Sequence, residues 1–204
     1  MGENCDKMGV MTSTFRHKKE KISLMSENIP RFQVNVVPDC HPEIGRWLGI
    51  LDDARKRLQF TLRSVQDADL DAPPPIGINT IGTILYHIAM ADVNWLYDNL
   101  LQQPYPSDIM NLFPYPITDE HDHLYPVRGW DLQAYQQRLS VARAKVHEVF
   151  KPMTVEAFRD VLRREEPGWV YEMTPESVLQ HLAQHESEHR GEIQLFVSAL
   201  RSQK

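Results

Sequence analysis

The chain has 204 residues, 42% of them hydrophobic and 25% charged, and its 28 acidic against 22 basic side chains leave a formal net charge of −6. That is the composition of a globular domain long enough to bury roughly 70% of its unfolded surface, which excludes wholesale disorder, collagen and low-complexity fibres. The acidic balance is the reverse of a nucleic-acid binder's basic footprint, and no apolar run reaches the roughly 18 residues of a membrane span.

Residues 1 to about 38 read as an extension, because their large apolar side chains follow no sustained period. The basic cluster Arg16-His17-Lys18-Lys19-Glu20-Lys21 reads as a solvated tail rather than a polyanion-binding arm. Met8, Met11 and Met25 each offer an alternative start, and no signal-peptide core is present. Two cysteines, Cys5 and Cys40, make neither a disulfide framework nor a CxxC pair, so a reducing, cytoplasmic setting is expected. Residues 39–204 are expected to form one domain.

From Pro42 the residues Ile44, Trp47, Leu48, Leu51, Leu58, Leu62 and Val65 recur at three- and four-residue steps. This spacing predicts an amphipathic helix, opened by Pro42 at its first position and stopped by Pro73-Pro74-Pro75. A second helix is predicted from about Asn79 to Leu101, with Ile81, Ile84, Leu85, Ile88, Trp95 and Leu96 on its apolar side. Residues 102–130 contain Pro104, Pro106, Pro114, Pro116 and Pro126, so neither helix nor central strand is expected to persist there. A connector of this length crosses a fold or covers a site. A third helix starts at Asp131, a good N-cap, and carries Tyr135, Leu139, Ala142, Val146 and Val149. A short helix follows Thr154, and residues 169–173 read as a short strand. The last helix has Thr174 as its cap, Pro175 at its first position and Glu176 at the positive end of its dipole, and runs to about Leu200. Four long helices, two of them joined by a long crossover, make an all-α four-helix bundle.

The inner face of the last helix, marked by Val178, Leu182, Ile193, Phe196 and Leu200, also carries His185 and His189. Imidazoles at i and i+4 project side by side, and burying both without partners is costly. One divalent ion satisfies both, since neutral imidazole binds zinc, nickel, iron and copper. His87, at the edge of the second helix's apolar stripe, is the expected third ligand. Three nitrogens leave a coordination position open, as in catalytic metal sites. His181, one turn before His185, and Asn94, two turns past His87, are expected nearby.

Residues 185–189 read His-Glu-Ser-Glu-His, a formal HExxH. Only 15 residues follow His189, so no separate downstream helix supplies a third ligand, and the metzincin Gly and third His are missing. Glu186 is kept as a candidate general base. A ferritin-like di-iron site needs two Glu-x-x-His pairs on helices; Glu186 with His189 is one, but Glu120 with His123 falls in the connector. The stretch Asp119-Glu120-His121-Asp122-His123 reads as a solvated loop, and Cys40 beside His41 as a small buried residue at a helix start.

Residues 80–89, Thr-Ile-Gly-Thr-Ile-Leu-Tyr-His-Ile-Ala, together with residues 185–193, His-Glu-Ser-Glu-His-Arg-Gly-Glu-Ile, resemble the DinB/YfiT-like superfamily. The likeness spans about residues 42–200 and rests on the helix-two histidine in an IGxxLxHIA context and the terminal HxxxHRG(Q/E). It implies an up-down-down-up four-helix bundle with a long crossover between helices two and three. It further implies homodimers and one divalent metal, zinc, nickel or iron, on His87, His185 and His189. Glu192 stands beside this set where the family often has glutamine. Characterised relatives include bacillithiol- or mycothiol-dependent thiol transferases and a mycothiol-dependent maleylpyruvate isomerase. The leading expectation is therefore a metal-dependent thiol S-transferase that takes a low-molecular-weight thiol and a small electrophile. A metal-dependent hydrolase, with Glu186 or a carboxylate of residues 119–122 as base, and a non-catalytic metal-binding stress-response module are the alternatives. No nucleic-acid or membrane partner is expected.

Overall fold

The computed structural model describes residues 33–75, 77–166 and 168–202; the basic cluster and the candidate start methionines lie outside them. Residues Val34–Lys204 form one compact unit, mostly helical. Helix α1 (Pro42–Leu62) has Pro42 in its first turn, and His41 caps it by accepting the Glu43 amide on Nδ1 at 3.3 Å. It ends before Val65 and well before the prolines expected to stop it. Ser64 turns its hydroxyl back onto the Thr61 carbonyl at 2.9 Å, and the Gln66 amide goes to the Asp69 carboxylate at 2.9 Å, opening the one-turn α2 (Asp67–Leu70).

Helix α3 (Ile81–Asn94) is capped by the Thr80 hydroxyl, which accepts the Thr83 amide at 3.2 Å. Predicted to continue as one helix to Leu101, it widens instead into a π-helical segment, Trp95–Leu101, closed by Gln102 in the left-handed conformation at φ 49°. The connector is not free of helix: α4 (Ser107–Leu112) fits between Pro106 and Pro114, because a proline ahead of a helix removes no internal hydrogen bond. Helix α5 (Leu132–Phe150) opens on Asp131, which accepts the Ala134 amide at 2.8 Å, and α6 (Val155–Arg159) opens on Thr154. The expected strand is β2 (Trp169–Met173). Its antiparallel partner β1 (Leu162–Glu166), in which Leu162 faces Met173 and Glu166 faces Trp169, was not predicted, since Leu-Arg-Arg-Glu-Glu has no apolar alternation. In α7 (Pro175–Ser202) the Thr174 hydroxyl accepts the Ser177 amide while the Ser177 hydroxyl accepts the Thr174 amide, both at 3.1 Å.

Side-chain contacts give the helix directions. Trp47 meets Glu176, Arg55 meets Glu186 and Thr61 meets Gln194, so α1 and α7 run parallel. Gly82 abuts Tyr135 and Asp92 bonds Arg143, so α3 and α5 run parallel. Trp95 stacks on His181 while His87 reaches His185 and His189, so α3 and α7 run antiparallel. The core lies between them, with Leu48 and Leu58, Leu85 and Ile88, Tyr135 and Phe150, and Leu182 and Ile193 all buried. No helix among the described residues is long and apolar enough to cross a membrane.

The strand-like segment 34–37 lies along α1 at its glycines. The Val37 amide donates to the Gly45 carbonyl at 2.9 Å, and a Cβ on Gly49 would sit 1.7 Å from the Asn35 carbonyl oxygen. Gly49→Ala would favour an isolated helix by about 1 kcal/mol, yet here it is expected to destabilise the protein and speed hydrogen exchange at the Val37 amide. Unchanged exchange at Val37 would show that the segment does not depend on this close approach.

Candidate metal centre

His87 sits mid-way along α3, flanked by the buried Tyr86 and Ile88, and His185 and His189 sit mid-way along α7. The antiparallel crossing of these helices brings the three rings together. The Nε2 atoms of His87 and His185 are 2.9 Å apart. Ring centroids are 4.9 Å apart for His87 with each of the other two, and 4.5 Å for His185 with His189. One nitrogen from each ring lies within 4.8 Å of the other two.

Burial, helped by the neighbouring His185 and His189 rings, takes the His87 pKa down to about 3, the Ile117 backbone opposing weakly. Burial and the His189 and His181 rings take His185 down to about 4. Both rings are thus neutral at pH 7, the form that ligates metals. The Nδ1 atoms of His87 and His189 are shut from solvent with no well-aligned hydrogen-bond partner, although the Ile117 backbone acts on His87 and Glu192 Oε2 lies 3.2 Å from His189 Nδ1. Ligand nitrogens around a tetrahedral zinc are roughly 3.3 Å apart. The set could therefore hold one such ion if the 2.9 Å pair opened slightly and the widest contact closed by up to about 1.5 Å. The donor set fits.

Glu186, considered as a general base, has another place. It is 1% exposed and lies in a closed ring of charges to which each long helix contributes one side chain. Arg55 of α1 bonds Glu186 at 2.7 Å and Asp92 of α3 at 3.2 Å. Arg143 of α5 bonds Asp92 at 3.1 Å and Glu186 at 2.6 Å. The guanidinium groups also donate to backbone, Arg143 to the Leu51 carbonyl at 2.8 Å and Arg55 to that of Leu139. Burial alone would lower the Arg143 pKa, but Asp92 and Glu186 raise it above the ordinary arginine value. Both Glu186 oxygens are occupied, so it is an ion-pair partner and not a free base.

Arg55, Asp92 and Arg143 were missed from the sequence. Their signal was present: Arg55 falls between Leu51 and Leu58, Asp92 between Ile88 and Leu96, and Arg143 between Leu139 and Val146, each a charge on an apolar stripe. His181 lies beside the triad as expected, half-buried between Trp95 at 4.1 Å and His185 at 5.6 Å between centroids, its pKa lowered by burial. Asn94 does not join it. Its side chain serves the start of the π segment, bonding Asp98 at 2.6 Å and Asn99 at 3.3 Å. The 119–123 stretch is a surface turn in which the Asp119 carboxylate accepts the His121 and His123 amides at 2.8 and 3.0 Å. Cys40 is half-buried rather than buried, its thiol donating to the Val37 carbonyl at 3.4 Å. A cleft of about 580 Å³, lined by Ile78, Ile84, Glu192, Leu195 and Phe196 among others, begins one helical turn from His87 and His189.

The family model described as the DinB superfamily matches residues 50–193. The fold is similar to a solved crystal structure described as the conserved protein of locus from Enterococcus faecalis, at 17% identity and a TM-score of 0.55, covering 78% of this chain and 96% of that one. No curated protein matches the chain.

Two outcomes follow from this geometry. Glu186→Gln leaves two buried guanidinium groups with one carboxylate and is expected to cost about 3–5 kcal/mol, read from the denaturation midpoint, with His185→Ala costing far less; equal costs would contradict the ring's structural role. The native pKa values of His87 and His185, about 3 and 4, lie below the ordinary 6.5, so the unfolded chain binds more protons as the pH falls. Metal-free protein should hold full stability from these groups above pH 6.5 and lose it as acid approaches pH 4. That loss should shrink in His87→Ala, as measured by denaturation across the pH series.

Proposed function

The chain belongs to the DinB superfamily, and on that premise we propose that His87, His185 and His189 hold one divalent metal ion, zinc, nickel or iron. The enzyme so formed joins a low-molecular-weight thiol of the bacillithiol or mycothiol type to a small electrophile. One observation carries the reading: rings from two helices converge so that one nitrogen of each lies within 4.8 Å of the others, and burial keeps His87 and His185 neutral at pH 7. When bound, such an ion lowers the pKa of a thiol and keeps it as the thiolate at neutral pH.

The remaining roles belong to the chain. Three protein nitrogens leave room for an outside ligand. The Glu192 carboxylate, 3.2 Å from His189 Nδ1, is placed to hold a proton there and so set the ring's tautomer and orientation. Trp95 and His181 lie next to His185 on one side of the set. The cleft beginning beside Ile84 and Glu192, with Leu195 and Phe196 in its walls, suits an electrophile with an apolar body. The hydrolase alternative relied on Glu186 or the 119–122 carboxylates as base. Glu186 is held by Arg55 and Arg143, and Asp119 by two backbone amides. Thiol transfer would rely on neither, because a thiol whose pKa the metal lowers gives its proton to solvent and is present as thiolate at neutral pH, the leaving group of the electrophile departing as its anion or acid.

Purified protein is expected to carry close to one zinc, nickel or iron per chain by elemental analysis, and the double variant His185→Ala/His189→Ala to carry none. Metal-free wild-type protein that takes up none of these ions on titration would end the proposal. With metal bound, consumption of a chloronitrobenzene-type electrophile should depend on a thiol from a bacillithiol, mycothiol and glutathione panel. Turnover of esters or amides without thiol would select hydrolysis instead.

A further inference from the structure

Between the second halves of α1 and α7 runs a groove of two cavities, about 580 and 370 Å³, that share Phe60, Thr61 and Gln194. Lys56, Arg57, Arg63, Arg190 and Arg201 line it, and no carboxylate does among the described residues, although the chain as a whole carries a net charge of −6. Arg57 is paired with Asp53 at 2.6 Å. Arg63, Arg190 and Arg201 make no ion pair with a carboxylate among the described residues, and Lys56 interacts with Asp52 through space without an ion pair. Arg190 lines the groove while its Nε is closed off from solvent with no hydrogen-bond partner, so its exposed contacts to a ligand would come from the outer guanidinium nitrogens. At the centre Phe60 is 69% exposed, with the Arg63 guanidinium 5.3 Å from its ring centroid. The Gln194 amide, donating to the Thr61 hydroxyl at 3.3 Å, joins the two helices here.

Clustered like charges repel, and solvated surface arginines on an acidic protein ordinarily find carboxylate neighbours. Here five cations line the groove and no carboxylate does among the described residues, with Asp53 paired to Arg57 and Asp52 beside Lys56. Arg190 and Arg201 are separated by about 16 Å along α7, and Lys56 and Arg63 by about 10 Å along α1, at 1.5 Å per residue. An exposed aromatic face between two sets of guanidinium groups is the arrangement that stacks a planar base and neutralises phosphates. We propose that this groove is a second ligand site, one that binds a nucleotide phosphate with its base against Phe60 and its phosphates on Arg190, Arg201, Arg63 and Lys56. The groove lies on the α1 side of α7, whereas His185 and His189 face α3, so this site and the metal centre stand or fall separately.

The test is calorimetric titration of the full chain with adenosine triphosphate at low salt and without divalent cations, repeated in His185→Ala/His189→Ala. One saturable site per chain is expected in both proteins, weakening as salt is raised. Affinity should fall about tenfold or more in Arg190→Gln/Arg201→Gln, two charge-assisted contacts being removed, and about fivefold or more in Phe60→Ala, where stacking is lost. Arg63→Gln/Arg201→Gln, both at exposed positions, serves if the first pair lowers the melting temperature. Absence of saturation, or binding that both arginine pairs leave intact, overturns the proposal. So does inorganic triphosphate binding as tightly as the nucleotide, or binding confined to single-stranded oligonucleotides. A dimer that dissociates in the arginine variants would mean that the groove takes a second copy of the chain, and would overturn it too.

Discussion

Four charged side chains, one from each long helix, meet in the middle of the bundle, where water cannot screen them. Removing charges from water costs several kcal/mol per ion, and the cost is recovered only when every partner is in place with good geometry. Arg55, Asp92, Arg143 and Glu186 meet that condition by alternating in sign around a ring and by giving their spare donors to the Leu51 and Leu139 carbonyls. A slip of any one helix by a turn would leave a buried charge alone. Hydrophobic packing tolerates small slides; this ring does not, and it therefore sets the register of all four helices.

The histidines inherit that register. Glu186 is the next residue after His185, and Asp92 lies little more than one turn from His87, so the contacts that align α3, α7, α1 and α5 also set how closely the rings approach. The sign of the electrostatics differs between the two neighbouring clusters. The ring of ion pairs is fully compensated. His87 and His185, by contrast, are kept neutral by burial.

Helix α7 presents different chemistry on each side. Towards α3 it shows His185, His189 and the contact of Glu192; towards α1 it shows Glu186 within the core, and then Arg190, Gln194 and Arg201 along an open groove. One 28-residue helix thus forms a wall of each candidate site, and Ser198 and Ser202 line both the groove and the cleft beside the histidines.

Helix starts were legible because capping is local chemistry. Asp131, Thr154 and Thr174 each close a hydrogen bond within three residues. The pairing of His185 with His189 was legible for the same reason, since a four-residue step decides it. Strand β1 was not, since its residues follow no apolar alternation and need β2 to form a ribbon. The six-residue α4 was not legible because the prolines on either side of it argue against helix, although Pro106 lies ahead of its first turn.

The role of Glu186 shows the limit most clearly. Sequence alone determined that a carboxylate sits between two histidines on the inner stripe of a helix, and that charges interrupt the apolar stripes of three others. It could not say that these interruptions answer one another, because the partners are 37 to 131 residues apart in the chain and only the folded bundle makes them neighbours. Periodicity along one helix is a property of the chain; neutralisation of one buried charge by another requires tertiary structure, since the opposite charge comes from a different helix.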